Sequence, residues 1–162
     1  MPSPAPLLRY SLLVNISLIH IGAASTSRDG YEPLIQAYLE RCSAFAHCKV
    51  EAFRSEADFM VWLDRQKGRT PATAILLDSR GKLLSSEKFA AWIGDRRDLG
   101  AQHLVFAIGP ADGWSDSARK RADLLLSLGP MTLAHALARL VAAEQIYRAF
   151  TILAGHPYHS GH

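Results

Sequence analysis

The side chains of this 162-residue chain that could carry chemistry gather in its last third. Glu144 and Arg148 have the i,i+4 spacing of a helical ion pair, which is a structural role. His156 and His159 have the HxxH spacing of metal ligands, but a site would need a third ligand such as His162 on a poorly structured tail. The sequence therefore predicts no metal. The residues of this segment with side chains that could act in catalysis or binding include His135, Arg139, Glu144, Arg148, His156, Tyr158 and His159.

A long helix must position these side chains. A short apolar run at residues 124–126 leads into a turn at Gly129–Pro130. Thr132 can cap the following helix, because its hydroxyl can accept a hydrogen bond from an early backbone N–H. The helix is predicted to run to about Ala154 and to stop at Gly155. Its apolar residues cover more than one face, so we expect it to be buried against its own sheet and against a second partner.

The same segment carries a family resemblance. EQIYRA (144–149) followed by GHPYH (155–159) resembles the C-terminal signature of the RlmH family, and SLGPMTLAHALAR (127–139) resembles its SLSxMTxPHxLxR motif. Members of that family are small, knotted SPOUT-class methyltransferases that act on large-subunit ribosomal RNA. The resemblance runs from about Val14 to the chain end. It implies S-adenosylmethionine as the methyl donor, the ribosome as the partner and N3 of a pseudouridine as the methylated atom.

The resemblance assigns catalysis or RNA placement to His135, Arg148 and Tyr158. Methylation of a ring N–H requires that its proton is removed and that the resulting anion is held. The resemblance implies that Arg148 stabilises this anion and that Tyr158 stacks on the base or hydrogen-bonds to it. His135 is the candidate proton acceptor, with a structural hydrogen bond to a backbone carbonyl as the equal alternative. Glu144 is expected to orient Arg148 or the helix.

The resemblance also implies three loops that bind the cofactor largely through backbone groups. Gly109 suits such a loop, because a residue without a side chain lets a ligand approach closely. Pro110 stands where a second glycine is usual in the family, Gly129 where a serine is usual, and Ala134 where a proline is usual. We expect these departures to weaken or reshape cofactor binding rather than abolish it. The implied cofactor residues are Leu77, Gly109, Pro110, Gly129, Pro130, Met131, Thr132, Leu133 and Ala134.

The formal net charge of +3 is compatible with an RNA partner without arguing for one. Ser160 follows the HPYH motif where the family commonly has a basic residue, so one expected RNA contact is missing. A homodimer would double the basic surface and let the tail of one chain complete the site of the other. The candidate phosphate contacts are Arg65, Lys67 and Arg69 in one group, and Arg80, Lys82 and Lys88 in another.

The N-terminal residues 1–13 predict a disordered extension, followed by a single domain over residues 14–162. The early apolar stretch is compatible with a signal peptide, but cleavage near Ala24 would delete the first strand, and polar residues interrupt it too often for a transmembrane helix. Cys42 and Cys48 make neither a disulfide framework nor a zinc pattern. We therefore expect a cytoplasmic protein with reduced thiols and no membrane partner.

Five predicted strands alternate with helices, which favours an α/β fold with a mostly parallel sheet of five to six strands and helices on both faces. Ligands of such sheets bind beyond the carboxyl ends of the strands, where residues 77–78, 109–113 and 128–133 fall. A C-terminal trefoil knot is implied by the resemblance alone. The strands are predicted at 15–22, 49–53, 73–77, 103–108 and 124–126, with a turn at SRGK (79–82), and the helices at 31–46, after Ser55, from Ser85 or Ser86, at 115–122 and at 132–154.

Three functions are compatible with this sequence. The first is the pseudouridine-N3 methyltransferase, acting on the assembled ribosome because a small domain of low charge has little surface for finding one base in naked RNA. The second is a non-catalytic ribosome- or RNA-binding protein with a degenerate cofactor site. The third is an unrelated α/β enzyme such as a nucleotide-binding oxidoreductase, against which the absence of a glycine-rich dinucleotide turn argues.

Overall fold

A computed structural model describes residues 13–22, 30–66, 68 and 70–160 of the chain. The predicted N-terminal extension falls outside this part except for Leu13, and so do Lys67, Arg69 and His162. Five strands and five α-helices alternate in the described part, followed by a 3₁₀ turn. They are β1 (Asn15–Ile21), α1 (Tyr31–Cys42), β2 (His47–Phe53), α2 (Glu56–Arg65), β3 (Thr73–Leu83), α3 (Ser86–Asp98), β4 (His103–Ile108), α4 (Asp116–Arg121), β5 (Leu124–Ser127), α5 (His135–Leu153) and the 3₁₀ turn Pro157–His159.

The strands form one parallel sheet in the order β2-β1-β4-β3-β5. This confirms the predicted α/β fold, and the trefoil knot implied by the resemblance is consistent with it. The residues of β4 from Leu104 to Ile108 are all buried, as expected of a strand covered on both faces. Because β4, β3 and β5 are neighbours, the segments at their carboxyl ends lie side by side at one edge of the sheet.

Helices cover both faces of the sheet, as predicted. The larger hydrophobic core lies between the sheet and α1, α3 and α5, and includes Ile35, Ile93 and Phe150. The smaller core lies under α2 and α4 and includes Phe59 and Trp114. None of the helices within the described residues is both long and apolar enough to cross a lipid bilayer.

Short-range signals set the starts of three helices. The hydroxyls of Ser55, Ser85 and Ser115 each accept a hydrogen bond from the backbone N–H three residues later. These caps confirm the predicted starts of α2, α3 and α4, because they satisfy amides that a helix leaves unpaired at its first turn.

Three predicted boundaries are wrong by three residues or more. β3 does not end in a turn at SRGK but continues to Leu83, because Lys82 and Leu83 pair with β5 beyond an irregularity that follows Leu77. Thr132 does not cap α5, which begins at His135 with Ala134 at the cap position and no side-chain cap. The first helix stops at Cys42 rather than at 46, because the Phe45 amide turns back to the Cys42 carbonyl.

Candidate functional site

A cavity of about 470 Å³ lies at the carboxyl edge of the sheet, which is the size of a small-molecule site. Its walls come from the irregular point of β3, the loops after β4 and β5, and the start of α5. All but one of the residues predicted for the cofactor line it, the exception being Ala134. The lining members of that set are Leu77, Gly109, Pro110, Gly129, Pro130, Met131, Thr132 and Leu133.

The loop after β5 presents backbone rather than side chains. Gly129 has a φ of +129°, which L side chains rarely adopt, so the serine usual in the family would be strained in this turn. Within the described part of the chain, the amides of Met131, Thr132 and Leu133 make no backbone hydrogen bond. These amides remain as donors for a ligand, which agrees with the predicted backbone recognition.

Packing alone already requires a glycine at position 109. A Cβ at this position would lie 2.8 Å from the indole ring of Trp114, so Trp114 occupies the space that a side chain would need. The same indole Nε1 donates to the Leu77 carbonyl oxygen at 3.0 Å. Trp114 thus joins the loop after β4 to the irregular point of β3, and the Leu77 carbonyl at the cavity wall already accepts one hydrogen bond.

The side chains of Asp78, Trp114 and Arg119, for which the sequence predicted no role, also line the cavity. Arg119 Nε donates to Asp78 Oδ2 at 2.7 Å. Burial by itself would raise the pKa of Asp78, but the hydrogen bonds from Arg119 and from the Arg80 amide hold that pKa below its ordinary value. The only sequence signal was the position of Asp78 at a strand end; nothing in the sequence pointed to its partner, 41 residues away.

His135 lies at the rim of the cavity, where its Nε2 is 3.1 Å from the carbonyl oxygen of Gly109. A carbonyl only accepts, so this geometry assigns the ring proton to Nε2 and leaves Nδ1 as the acceptor. The contact matches the alternative prediction for His135, a structural hydrogen bond to a backbone carbonyl. The proton-acceptor role stays a prediction and could operate only through Nδ1.

A buried polar cluster lies behind His135. The ring of His20, in β1, packs edge-on against that of His135 with 6.0 Å between centroids. His20 is only 4% exposed, and neither ring nitrogen has a hydrogen-bond partner in the described part of the chain. Arg139, one turn along α5, is 1% exposed and forms a 2.7 Å ion pair with Glu32 of α1. Burial, with the Arg139 charge second, lowers the pKa of His20 to about 4.

His20→Leu is expected to remove an acid-sensitive element without loss of stability at pH 7. The unfolded chain has an ordinary histidine pKa near 6.5, so it binds more protons than the folded chain between pH 6.5 and about 4. Wild-type stability should therefore fall as the pH drops through this window, by on the order of 1 kcal/mol at pH 5.

Urea unfolding at pH 7 and pH 5 measures this effect. His20→Leu should flatten the difference between the two pH values, whereas His47→Leu, at an exposed position of β2, should retain it. An undiminished loss of stability in His20→Leu at pH 5 would assign the acid sensitivity to other groups.

The C-terminal tail is fastened to α5 through one network. Glu144 Oε1 accepts from Arg148 Nε at 3.0 Å, from Arg148 Nη2 at 2.7 Å and from the Tyr158 hydroxyl at 3.1 Å. The Arg148 guanidinium also lies 4.9 Å from the centre of the Tyr158 ring. His159 Nδ1 is 2.9 Å from Arg148 Nη1, and its Nε2 is 2.8 Å from a carboxylate oxygen of Glu87 in α3. The tail is therefore positioned by two helices, and Glu144 orients Arg148 as predicted.

The hydrogen bonds of this network favour the charged form of Arg148 and the neutral form of Tyr158. Hydrogen bonding to Glu144 raises the pKa of Arg148 above its ordinary value. Burial, followed by the bond to Glu144, raises the pKa of Tyr158 to about 12, so the hydroxyl stays a donor. Within the described residues, Arg148 uses one N–H at each of its three nitrogens, which leaves two of its five donors for an anion. No three potential metal ligands cluster anywhere in the described residues.

One chain does not bring the three predicted catalytic residues together. His135 is the first residue of α5, and Arg148 lies 13 positions further along the same helix. At 1.5 Å per residue this separates them by about 20 Å along the helix axis. The described residues thus form two sites, the cavity with His135 and the tail network with Arg148 and Tyr158.

The two predicted basic groups also lie apart. Arg80 and Lys82 are exposed on β3 just beyond the cavity wall, and Lys88 is exposed at the start of α3. Arg65 lies instead at the amino edge of the sheet, near Asn15 and His103. Of these residues, only Arg80 and Lys82 follow directly on the wall of the cavity.

The fold and the cavity define a class of protein, the SPOUT methyltransferases. A family profile described as predicted SPOUT methyltransferase matches residues 14–159. Among solved structures, a probable methyltransferase from Bordetella pertussis Tohama I aligns with a TM-score of 0.57 at 11% identity, over 89% of this chain and 99% of that one. The SpoU methyltransferase AviRb from Streptomyces viridochromogenes, solved in complex with AdoMet, aligns with a TM-score of 0.54 at 14% identity, over 96% of this chain and 64% of that one.

Proteins that are similar in sequence identify the family within this class. The ribosomal RNA large subunit methyltransferase H of Koribacter versatilis (strain Ellin345) is 43% identical over 149 residues, which are 92% of this chain and 100% of the relative. The protein of the same name from Brucella ovis is 58% identical over 88 residues, 54% of this chain and 52% of the relative. The chain therefore belongs to the RlmH family of SPOUT methyltransferases, as its C-terminal motifs indicated.

Proposed function

We propose that this protein transfers a methyl group from S-adenosylmethionine to N3 of a pseudouridine in large-subunit ribosomal RNA, on the assembled ribosome. The observation that carries the proposal is the cavity whose backbone-rich loops meet at the carboxyl ends of β3, β4 and β5. Family membership and the names of the relatives support the substrate class. The predicted location is the cytoplasm, and residues 14–162 are proposed to act as one domain.

The cavity has the chemistry that this donor needs. Leu77, Met131 and Leu133 would supply apolar walls for the adenine. The amides of residues 131–133, which make no backbone hydrogen bond within the described residues, would supply donors. Pro110 has no amide, so its carbonyl is the only backbone group it can offer. S-adenosylmethionine, when bound, supplies an electrophilic methyl group. The N3–methyl bond forms as the methyl–sulfur bond of the donor breaks, with S-adenosylhomocysteine as the leaving product. The N3 proton must pass to an acceptor, for which His135 Nδ1 is the candidate, and the negative charge on the nucleobase must be stabilised meanwhile.

The proposed catalytic groups require a second copy of the chain. Because His135 and Arg148 are about 20 Å apart along α5, Arg148 and Tyr158 of one protomer would complete the cavity of its partner. Apolar surface next to the cavity supports a homodimer: Met131 is 82% exposed and Leu83 is 69% exposed. In the dimer, Arg148 would stabilise the base anion with its two remaining N–H groups, and Tyr158 would pack against the base.

Methyl transfer from labelled S-adenosylmethionine tests this function. Assembled ribosomes that lack the modification should be methylated at one pseudouridine, and free ribosomal RNA should be methylated at least about tenfold more slowly, a difference of 1.36 kcal/mol or more in activation free energy. Nuclease digestion and mass spectrometry identify the base and its position. Equal methylation of free RNA and ribosomes would overturn the ribosome context, and a product at another base would overturn the specificity.

The non-catalytic alternative has one specific observation in its favour. The Leu77 carbonyl already accepts a hydrogen bond from Trp114, and Pro110 has no backbone N–H. The cavity therefore offers a ligand fewer backbone hydrogen-bond partners than loops without these two residues would offer. Calorimetric titration separates the two functions. Micromolar binding of S-adenosylmethionine at one site per chain would support the enzyme, whereas ribosome binding without donor binding would support the alternative.

A further inference from the structure

The cavity contains one ion pair that no predicted role uses. We propose that Asp78 and Arg119 bind the amino-acid end of the methyl donor, with Arg119 holding the carboxylate and Asp78 holding the ammonium group. This inference rests on the proposed use of S-adenosylmethionine. It identifies which wall of the cavity receives the methionine part and leaves the apolar walls for adenine.

Charge placement is the first argument. Twenty residues line the cavity, and Asp78 and Arg119 are the only aspartate, glutamate, lysine or arginine among them. The amino-acid end of the donor is a zwitterion, and burying its charges without partners would oppose binding. Among the described residues that line the cavity, this pair alone supplies both complementary charges.

Unused hydrogen-bonding capacity is the second argument. Arg119 Nε donates to Asp78 at 2.7 Å, and Nη1 donates to Asp116 at 3.2 Å. The Asp116 side chain is 87% exposed. Its Nη2 makes no hydrogen bond within the described residues and lies 3.6 Å from where a Cβ of Gly113, a cavity residue, would be. A carboxylate in the cavity could therefore be bound without breaking an existing contact.

The state of Asp78 is the third argument. Its side chain is 4% exposed, and each of its oxygens accepts one hydrogen bond at 2.7 Å, from the Arg80 amide and from Arg119 Nε. A carboxylate oxygen can accept a second bond, so the aspartate keeps capacity for an ammonium group. The existing bonds also hold both side chains in place, so little further ordering is needed on binding.

Two ligands that differ only at the amino-acid end test the proposal. S-adenosylhomocysteine carries that end, and 5′-methylthioadenosine keeps adenine, ribose and a thioether sulfur but lacks it. Arg119→Gln should lower the affinity for S-adenosylhomocysteine by about 10- to 100-fold, the range expected when a charged hydrogen bond is lost. The affinity for methylthioadenosine should change by less than about twofold. Both are measured by calorimetric titration.

The same helix offers a matched control. Arg121 pairs with Asp64 at 3.3 Å but does not line the cavity, so Arg121→Gln should leave both affinities unchanged. Arg119→Lys, which keeps the charge, should recover part of the loss. The quantity compared between proteins is the ratio of the affinities for S-adenosylhomocysteine and methylthioadenosine. A loss of folded protein would lower both signals together and would leave this ratio unchanged.

Two results would overturn the proposal. One is an equal fall in the affinities for both ligands in Arg119→Gln. That result would mean that the Asp78–Arg119 pair binds the ribose or holds the loop structure. The other is a wild-type protein that binds the two ligands equally well, because the amino-acid end would then contribute nothing. Failure of the proposed function is distinct from both, since it would appear as absent methyl transfer by a wild-type protein that shows the expected ratio.

Discussion

Arg148→Ala is expected to slow methyl transfer to ribosomes by about 100- to 1000-fold, the effect of removing a donor that stabilises developing charge. The affinity for S-adenosylmethionine should be unchanged, because Arg148 lies about 20 Å from the cavity of its own chain and is proposed to contact the base, not the donor, at the cavity of its partner. Single-turnover methylation and calorimetric titration measure the two quantities. Arg41→Ala, which removes an exposed arginine above the Tyr38 ring, is the matched control and should be active.

Mixing variants tests whether the site is shared between two chains. Arg148→Ala would be combined with Leu133→Trp, a substitution that fills the cavity. Random exchange of subunits should restore about one quarter of wild-type activity, since half of the dimers are mixed and each of these has one complete site. A mixture as inactive as its components would contradict the shared site.

Glu32→Ala is expected to have the largest effect on stability, about 3 kcal/mol of unfolding free energy, because it removes an ion-pair partner of a guanidinium that is itself buried. The partner, Arg139, is 1% exposed, and its Nη1 is 2.7 Å from Glu32. Urea unfolding at fixed protein concentration measures the loss, since a dimer would make apparent stability depend on concentration.

Glu40→Ala provides the comparison, because Glu40 is exposed on the same helix. It should alter stability by less than about 0.5 kcal/mol. The double variant Glu32→Met with Arg139→Met should recover most of the stability lost in Glu32→Ala, since apolar residues can replace a buried pair. A Glu32→Ala protein as stable as wild type would show that other contacts of Arg139 neutralise its charge.

The type and order of the elements could be derived from sequence because the responsible interactions are short-range. Strands such as β4 are continuous apolar runs, and serine caps bond to amides three residues away. The stop of α5 before Gly155 is of the same kind: this glycine has a φ of +68°, a conformation that ends a helix. The C-terminal motifs identified the family because they lie within one continuous stretch of chain.

The extension of β3, by contrast, was decided by tertiary structure. Lys82 and Leu83 extend only because β5 lies beside them, and no local pattern of SRGK announces that partner. The predicted Thr132 cap failed for a related reason, since residues before His135 line the cavity instead of forming a first helical turn.

The sequence by itself determined which segments form the cavity, since the ends of parallel strands share one edge of a sheet. It also contained the separation of His135 from Arg148, which follows from helical rise once α5 is recognised. Only the tertiary structure decided what fills the space beside Gly109, and that Arg119 pairs with Asp78. The physical reason is that these contacts join residues that different elements bring together, and neither propensity nor periodicity records which side chains will meet across such a junction.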